Sequence, residues 1–241
     1  VELDLPELLN IDDSLQVFEA SINVPKIKKI HSLRVEGGTF NNSSLAATDM
    51  VSAVNSTINL PNVKGSVWAV FVTEGEVFLP EIDSITSRLE VNGATVEFPN
   101  VISTRGELIV SNMSKLSLPK ATSISGDLTI SKSSKAEFPN VLDVYGDIVV
   151  SDISNLSLPA ATVVNRGLIV QENSSGSFPN VQRIYGDLEV GLDSEVTLPN
   201  VEYIESNINI SSYVNLTLPN LRTFGGELLT MGRGSSLALP R

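Results

Sequence analysis

Apolar residues recur along the chain in short groups of two. In the segment PNVLDVYGDIVVSDISNLSL, from Pro139 to Leu158, they fall at Val141 and Val144, at Ile148 and Val150, and at Leu156 and Leu158. The last two groups alternate with a period of two, as strands with one buried face do. No stretch carries the 3.6-residue period of a helix, and a unit of this length cannot hold a strand plus a full helix. Three short strands joined by corners is the economical reading.

The prolines expose a repeat. All 12 fall in one series: Pro6, Pro25, Pro61, Pro80, Pro99, Pro119, Pro139, Pro159, Pro179, Pro199, Pro219 and Pro240. One wide gap, between Pro25 and Pro61, hides a coil without its proline. There Leu45-Ala46-Ala47-Thr48 parallels Leu158-Pro159-Ala160-Ala161-Thr162 with the proline dropped. The fold predicted is all-β: a right-handed parallel β-solenoid of about twelve coils of ~20 residues, with like positions stacked ~4.8 Å apart. It is expected to form one domain over 1–241, with irregular coils or a cap over 1–60 and regular repeats over 61–241.

Three further patterns support stacking. The residue before each proline alternates between Phe98, Phe138, Phe178 and Leu118, Leu158, Leu198. The first apolar residue after each proline alternates between Val101, Val141, Val181 and Ala121, Ala161. Each coil therefore pairs Val with Leu or Ala with Phe, which keeps the filled cross-section nearly constant. Asn follows proline at Asn62, Asn100, Asn140, Asn180, Asn200 and Asn220, which predicts a corner ladder. Gly106, Gly126, Gly146, Gly186 and Gly226 mark a second corner, where a positive φ is expected.

Composition narrows the function. The net charge of −12 argues against nucleic acid as a partner, which needs a basic field. Without Cys there is no disulfide scaffold or thiol nucleophile, and His31 alone cannot build a multi-histidine metal site. No run of ~18 apolar residues could span a membrane. Membrane contact is expected only through a lipid anchor outside this sequence.

Units such as LPKATSISGDLTISKSSKAEFPNVLDVYGDIVV and LPNLRTFGGELLT resemble the repeats of fungal GPI-anchored cell-wall and sporulation proteins. That family is built on a receptor L-domain-like, leucine-rich-repeat-like unit. The resemblance covers 60–240 well and 1–60 loosely. It implies a secreted, heavily glycosylated protein of the cell wall or surface that organises the wall without known enzymatic chemistry. Two features depart from the family: many relatives carry terminal Cys pairs, and the anchor region is absent here.

Asn-x-Ser/Thr occurs at Asn41, Asn42, Asn55, Asn112, Asn155, Asn173, Asn209 and Asn215. That is about twice the chance expectation for this Asn, Ser and Thr content. Asn112, Asn155, Asn173 and Asn215 share one phase of the repeat, at the polar corner between the second and third strands.

Catalysis finds little support. No HExxH, EF-hand loop or phosphate-binding glycine loop occurs. Asp127, Asp147 and Asp187 follow the glycine corner and could hold a cation, or they could simply be turn residues. Neither enzyme activity nor a cofactor or metal is expected. A better candidate is the outward column of the second strand: Glu90, Ile109, Thr129, Val149, Ile169, Glu189, Asn209, Leu229. Ile109, Thr129, Val149 and Ile169, with Tyr145 and Tyr185 at the preceding corner, form a candidate binding face for a surface protein, a cell-wall polysaccharide or a second copy of the chain. The alternatives are a carbohydrate-active solenoid of the polysaccharide lyase or hydrolase kind, and a bacterial surface adhesin repeat.

Overall fold

The computed structural model describes residues 2–240. Within them the chain is all-β, and parallel strands stack as a β-solenoid of about 12 turns. One core cluster threads the stack, from Val17 to Leu221. Each coil contributes its first two strands to a broad sheet and its third to a narrower one.

Two kinds of coil make up the rod. In the first five, the first two predicted strands are one: Ile11–Phe18, Lys29–Glu36, Ala47–Val54, Gly65–Thr73 and Ile82–Asn92. From Ser103 onward the long strand breaks in two, as in Asp143–Val144 and Ile148–Val150, followed by Asn155–Ser157. Three strands per coil therefore describes the later coils, and the change falls after Asn92 rather than at residue 60.

The break coincides with the glycine corner. Gly106, Gly126, Gly146, Gly186 and Gly226 do not have left-handed φ values, contrary to expectation. They are needed for close approach: a Cβ on Gly146 would overlap the backbone of Gly126 and Asp127 one coil below. Apart from Gly65, the left-handed residues lie at the other corner, between the second and third strands. Asn112 and Met113, Lys132 and Ser133, Asp152 and Ile153, and Glu172 and Asn173 are consecutive pairs with φ between 54° and 63°.

That corner is also where the coil lengthens. The register offset is 19 residues at the pair Asn92–Ser111 but 20 at Thr95–Lys115. A single left-handed residue, Gly93, gives way to the pair Asn112 and Met113.

Two ladders tie the coils together. Asn100, Asn140, Asn180, Asn200 and Asn220 each donate a side-chain N–H to the proline carbonyl of the coil below, at 2.6–2.8 Å. The second ladder is buried. Ser114 Oγ accepts from the Ala94 N–H, Ser134 Oγ from Ser114, Ser154 Oγ from Ser134, Ser174 Oγ from Ser154 and Ser194 Oγ from Ser174, at 3.0–3.3 Å. The left-handed corner turns these N–H groups away from the sheets, and the next coil's hydroxyl satisfies them.

Three registers differ from expectation. Asn62 donates to the Ser43 carbonyl as its counterparts donate to proline, so Ser43 stands at the missing proline. Asn42 then falls in the buried column of Leu60 and Leu79. In the last coil, Leu229 pairs with Ile208 and Thr230 with Asn209, so Thr230, not Leu229, continues the outward column. Phe138 and Phe178 also have a small residue two positions before them: a Cβ on Gly176 would lie 2.5 Å from Phe178 Cε2. Ala136 stands at the same strand position before Phe138, whereas Leu116 and Leu156 precede Leu118 and Leu158.

Candidate functional site

The register places Glu90, Ile109, Thr129, Val149, Ile169, Glu189 and Asn209 in one continuous outward column. All seven are half-buried. The apolar stripe is one side chain wide. Glu107, Asp127 and Asp147 lie two residues to one side, and Ser111, Ser131 and Ser151 two residues to the other. Tyr145 and Tyr185 are exposed but not adjacent, because Asn165 occupies the coil between them. Tyr185 instead meets Tyr203 edge-on, with ring centroids 5.8 Å apart.

The sequon asparagines divide by face. Asn112 and Asn173 sit on the left-handed corner, and Asn155 and Asn215 open third strands; all but the half-buried Asn112 are exposed. Asn41 and Asn55 lie on the same side of the rod and are exposed. Asn209 faces out in the second-strand column, where its Oδ1 accepts from Thr230 Oγ1 at 2.9 Å. Asn42 must be withdrawn as a glycan acceptor of the folded chain. It is 3% exposed; its Nδ2 donates to the Val24 carbonyl, and its Oδ1 accepts from the N–H groups of Ser44 and Leu45.

The aspartates after the glycine corner cap backbone. Asp127 Oδ1 accepts from the Asp147 N–H at 2.9 Å, Asp147 Oδ1 from Gly167 at 2.8 Å and Asp187 Oδ1 from Asn207 at 2.8 Å. One oxygen of each carboxylate is thus committed to the coil above. Among the described residues, no three His, Cys, Asp or Glu side chains gather as a metal site would require. At the left-handed corner, Glu172 stacks against Asp152. The hydrogen bond that protonated Glu172 shares with Asp152, and then the repulsion from that carboxylate, raise the Glu172 pKa above the ordinary glutamate value.

Sequence reasoning passed over the third-strand face. Three open clefts lie end to end there, of about 720, 740 and 390 Å³. The first and second share Thr57, Glu76 and Thr95; the second and third share Thr95, Val96 and Glu97. Phe78 stands in the second cleft, 53% exposed. Trp68, on the outer face of the broad sheet, is also exposed. An aromatic residue at an outward strand position was the available signal for both.

Comparison of the chain with family models, curated proteins and solved structures gave no match.

Proposed function

We propose that this chain is a non-catalytic, secreted and glycosylated protein of a cell surface or cell wall, acting as a rigid spacer that presents a flat sheet face to a partner. The observation that carries the reading is the segregation of faces. Asn112, Asn155, Asn173 and Asn215 project from one side of the rod, whereas the Ile109–Val149–Ile169 stripe belongs to the broad sheet. Glycans on the first set leave the broad sheet free. The repeat resemblance to fungal wall and sporulation proteins supports the same reading. The polar partners it suggests are wall polysaccharide or another surface protein, and a second copy of the chain is the apolar one.

The test is the intact mass of the chain secreted from its native host, before and after enzymatic removal of N-glycans. A large loss of mass, mapping to Asn112, Asn155, Asn173 and Asn215, is expected. An unchanged mass overturns the glycoprotein reading and makes the sequons by-products of Ser- and Asn-rich corners.

A further inference from the structure

The three clefts on the third-strand face form one trough running along the rod axis. Its walls are ladders of like positions. Asn41, Asn59 and Phe78 share one outward column; Thr39, Thr57 and Glu76 share the other. Successive groups are ~4.8 Å apart, close to the length of one sugar ring in an extended chain. The five-stranded sheet ends at Glu76–Phe78 and the six-stranded sheet starts at Thr95–Glu97, so the ladder between the two is interrupted in the middle of the trough.

Three observations define what the trough would take. Asn59 Oδ1 is buried in its wall with no hydrogen-bond partner among the described residues, and a turn of the side chain toward the trough would let a ligand hydroxyl satisfy it. Phe78 offers an exposed aromatic face at the seam, of the kind on which the C–H side of a sugar ring packs. The two larger clefts are lined by Glu74, Glu76 and Glu97 and by no Lys, Arg or His, and the third adds Glu137 with Lys115 and Lys135, so the trough as a whole stays acidic. That charge repels phosphate- or carboxylate-bearing polymers. A bound peptide strand would want pockets for alternate side chains, and these columns offer Asn, Thr and Glu instead.

We propose that the trough binds a neutral, hydroxyl-rich polysaccharide lying along the rod, with Phe78 as its stacking platform and Asn41, Asn59, Thr57 and Thr95 as hydrogen-bonding partners. The proposal rests on the reading of the chain as a wall or surface protein, and it moves the polysaccharide contact away from the broad-sheet stripe. It also requires Asn41 and Asn55, sequon asparagines that line the second and first clefts, to be free of glycan.

Affinity electrophoresis of the full chain through native gels tests it, using a soluble neutral glucan, a mannan and polygalacturonate. At least one neutral polymer should retard the chain and polygalacturonate should not. Phe78→Ala should weaken that retardation about tenfold, as expected on losing one well-packed aromatic contact. Phe78→Tyr should retain it, and Ile169→Lys should leave it unchanged. Circular dichroism confirms that each variant is folded, which the exposure of Phe78 favours. Three results overturn the proposal: no neutral polymer retards the chain, retardation survives Phe78→Ala, or Asn41 or Asn55 carries a glycan in the secreted protein. The mass shift at Asn112, Asn155, Asn173 and Asn215 is read separately, so this proposal can fail while the surface-protein reading stands.

Discussion

The first five coils and the later seven are built from one repeat but are held together differently. In the early coils the long strand Lys29–Glu36 pairs with Ala47–Val54 over seven register positions, and ladder hydrogen bonds dominate. In the later coils the corresponding pairing is cut into pieces of two and three residues, as between Ser123–Ile124 and Asp143–Val144. Shorter ladders need other ties. They are supplied at the corners: glycines that let backbones touch, aspartates that cap the next coil, and a serine ladder that runs unbroken from Ala94 to Ser194 and that the early coils show at Gly38 and Ser56. The comparison shows that a solenoid can exchange strand length for corner chemistry while keeping its core continuous.

The largest effect should come from the glycine corner. Gly146→Val drives a side chain into the backbone of the coil below, where nothing flexible can give way. We expect a loss of more than ~3 kcal/mol in denaturant unfolding. Ser52→Ala, at an outward position on an early long strand, should stay within ~0.5 kcal/mol. Equal effects would mean the corner is not what holds the later coils.

Next comes the serine ladder. Ser154→Ala leaves the Ser134 N–H buried without an acceptor and should cost ~1–3 kcal/mol. A loss below ~0.5 kcal/mol, or a new water seen at the site, would show that the hydroxyl is replaceable.

The left-handed corner separates the regions in the opposite direction. The early coils place Glu19, Gly37, Asn55, Glu74 and Gly93 there, none of them β-branched, whereas a later coil places Ile153, with φ 63° and 68% exposed. A β-branched residue in that conformation is strained. Ile153→Asn should therefore stabilise the chain by up to ~1 kcal/mol, since little packing is lost. A lower Tm would show that the exposed isoleucine packs more than its accessibility suggests.

A smaller effect belongs to the coil without proline. Asn42→Leu combined with Ser43→Pro restores the pattern of its neighbours and should change stability by less than ~1 kcal/mol. Asn42→Leu alone should cost more, because Ser44 and Leu45 lose the side-chain acceptor without the proline that fixes the turn in the neighbouring coils. If the double variant is the less stable of the two, Ser43 does not stand at the proline position.

The smallest effect is in pH. Glu172 has a raised pKa in the folded chain, so the folded state binds its proton more tightly than the unfolded state does. Its favourable contribution is present below the ordinary glutamate pKa and is lost as pH rises through the raised value. The side chain is exposed, so the slope of Tm against pH should be shallow. Glu172→Gln should flatten it, and an unchanged slope would assign it elsewhere.

Much of this was legible because the repeat amplifies weak signals. Alternation at Ile148 and Val150 or Leu156 and Leu158 says little in one coil and much in seven. The buried serines were equally periodic at Ser114, Ser134, Ser154, Ser174 and Ser194, yet serine in a polar stretch reads as solvent-facing. Only the left-handed turn before them points the hydroxyl inward. The glycine corner was found, but its cause was misread, because close backbone approach and positive φ leave the same residue in a sequence. The difference at Leu229 has a local source: Gly226 still stands over Ser206, but Leu228 stands over Asn207, so one residue is added after Gly226 and the faces of Leu229–Met231 are flipped. Asn42 was read as a sequon because its column could be known only once Ser43 was placed. Of the trough, only Phe78 at an outward strand position was legible, since its shape depends on where two sheets meet.

The serine ladder also gives the rod a direction in time. Each hydroxyl reaches back to the backbone of the preceding coil, so a coil is completed by the one synthesised after it. A chain emerging N-terminus first always ends in one unanswered N–H, and the arrival of the next Ser answers it and creates the following one. Assembly of the later coils would then advance like a zipper with its slider at the ribosomal end. Chains cut short at successive coils should each be frayed at the same place, one turn behind the break.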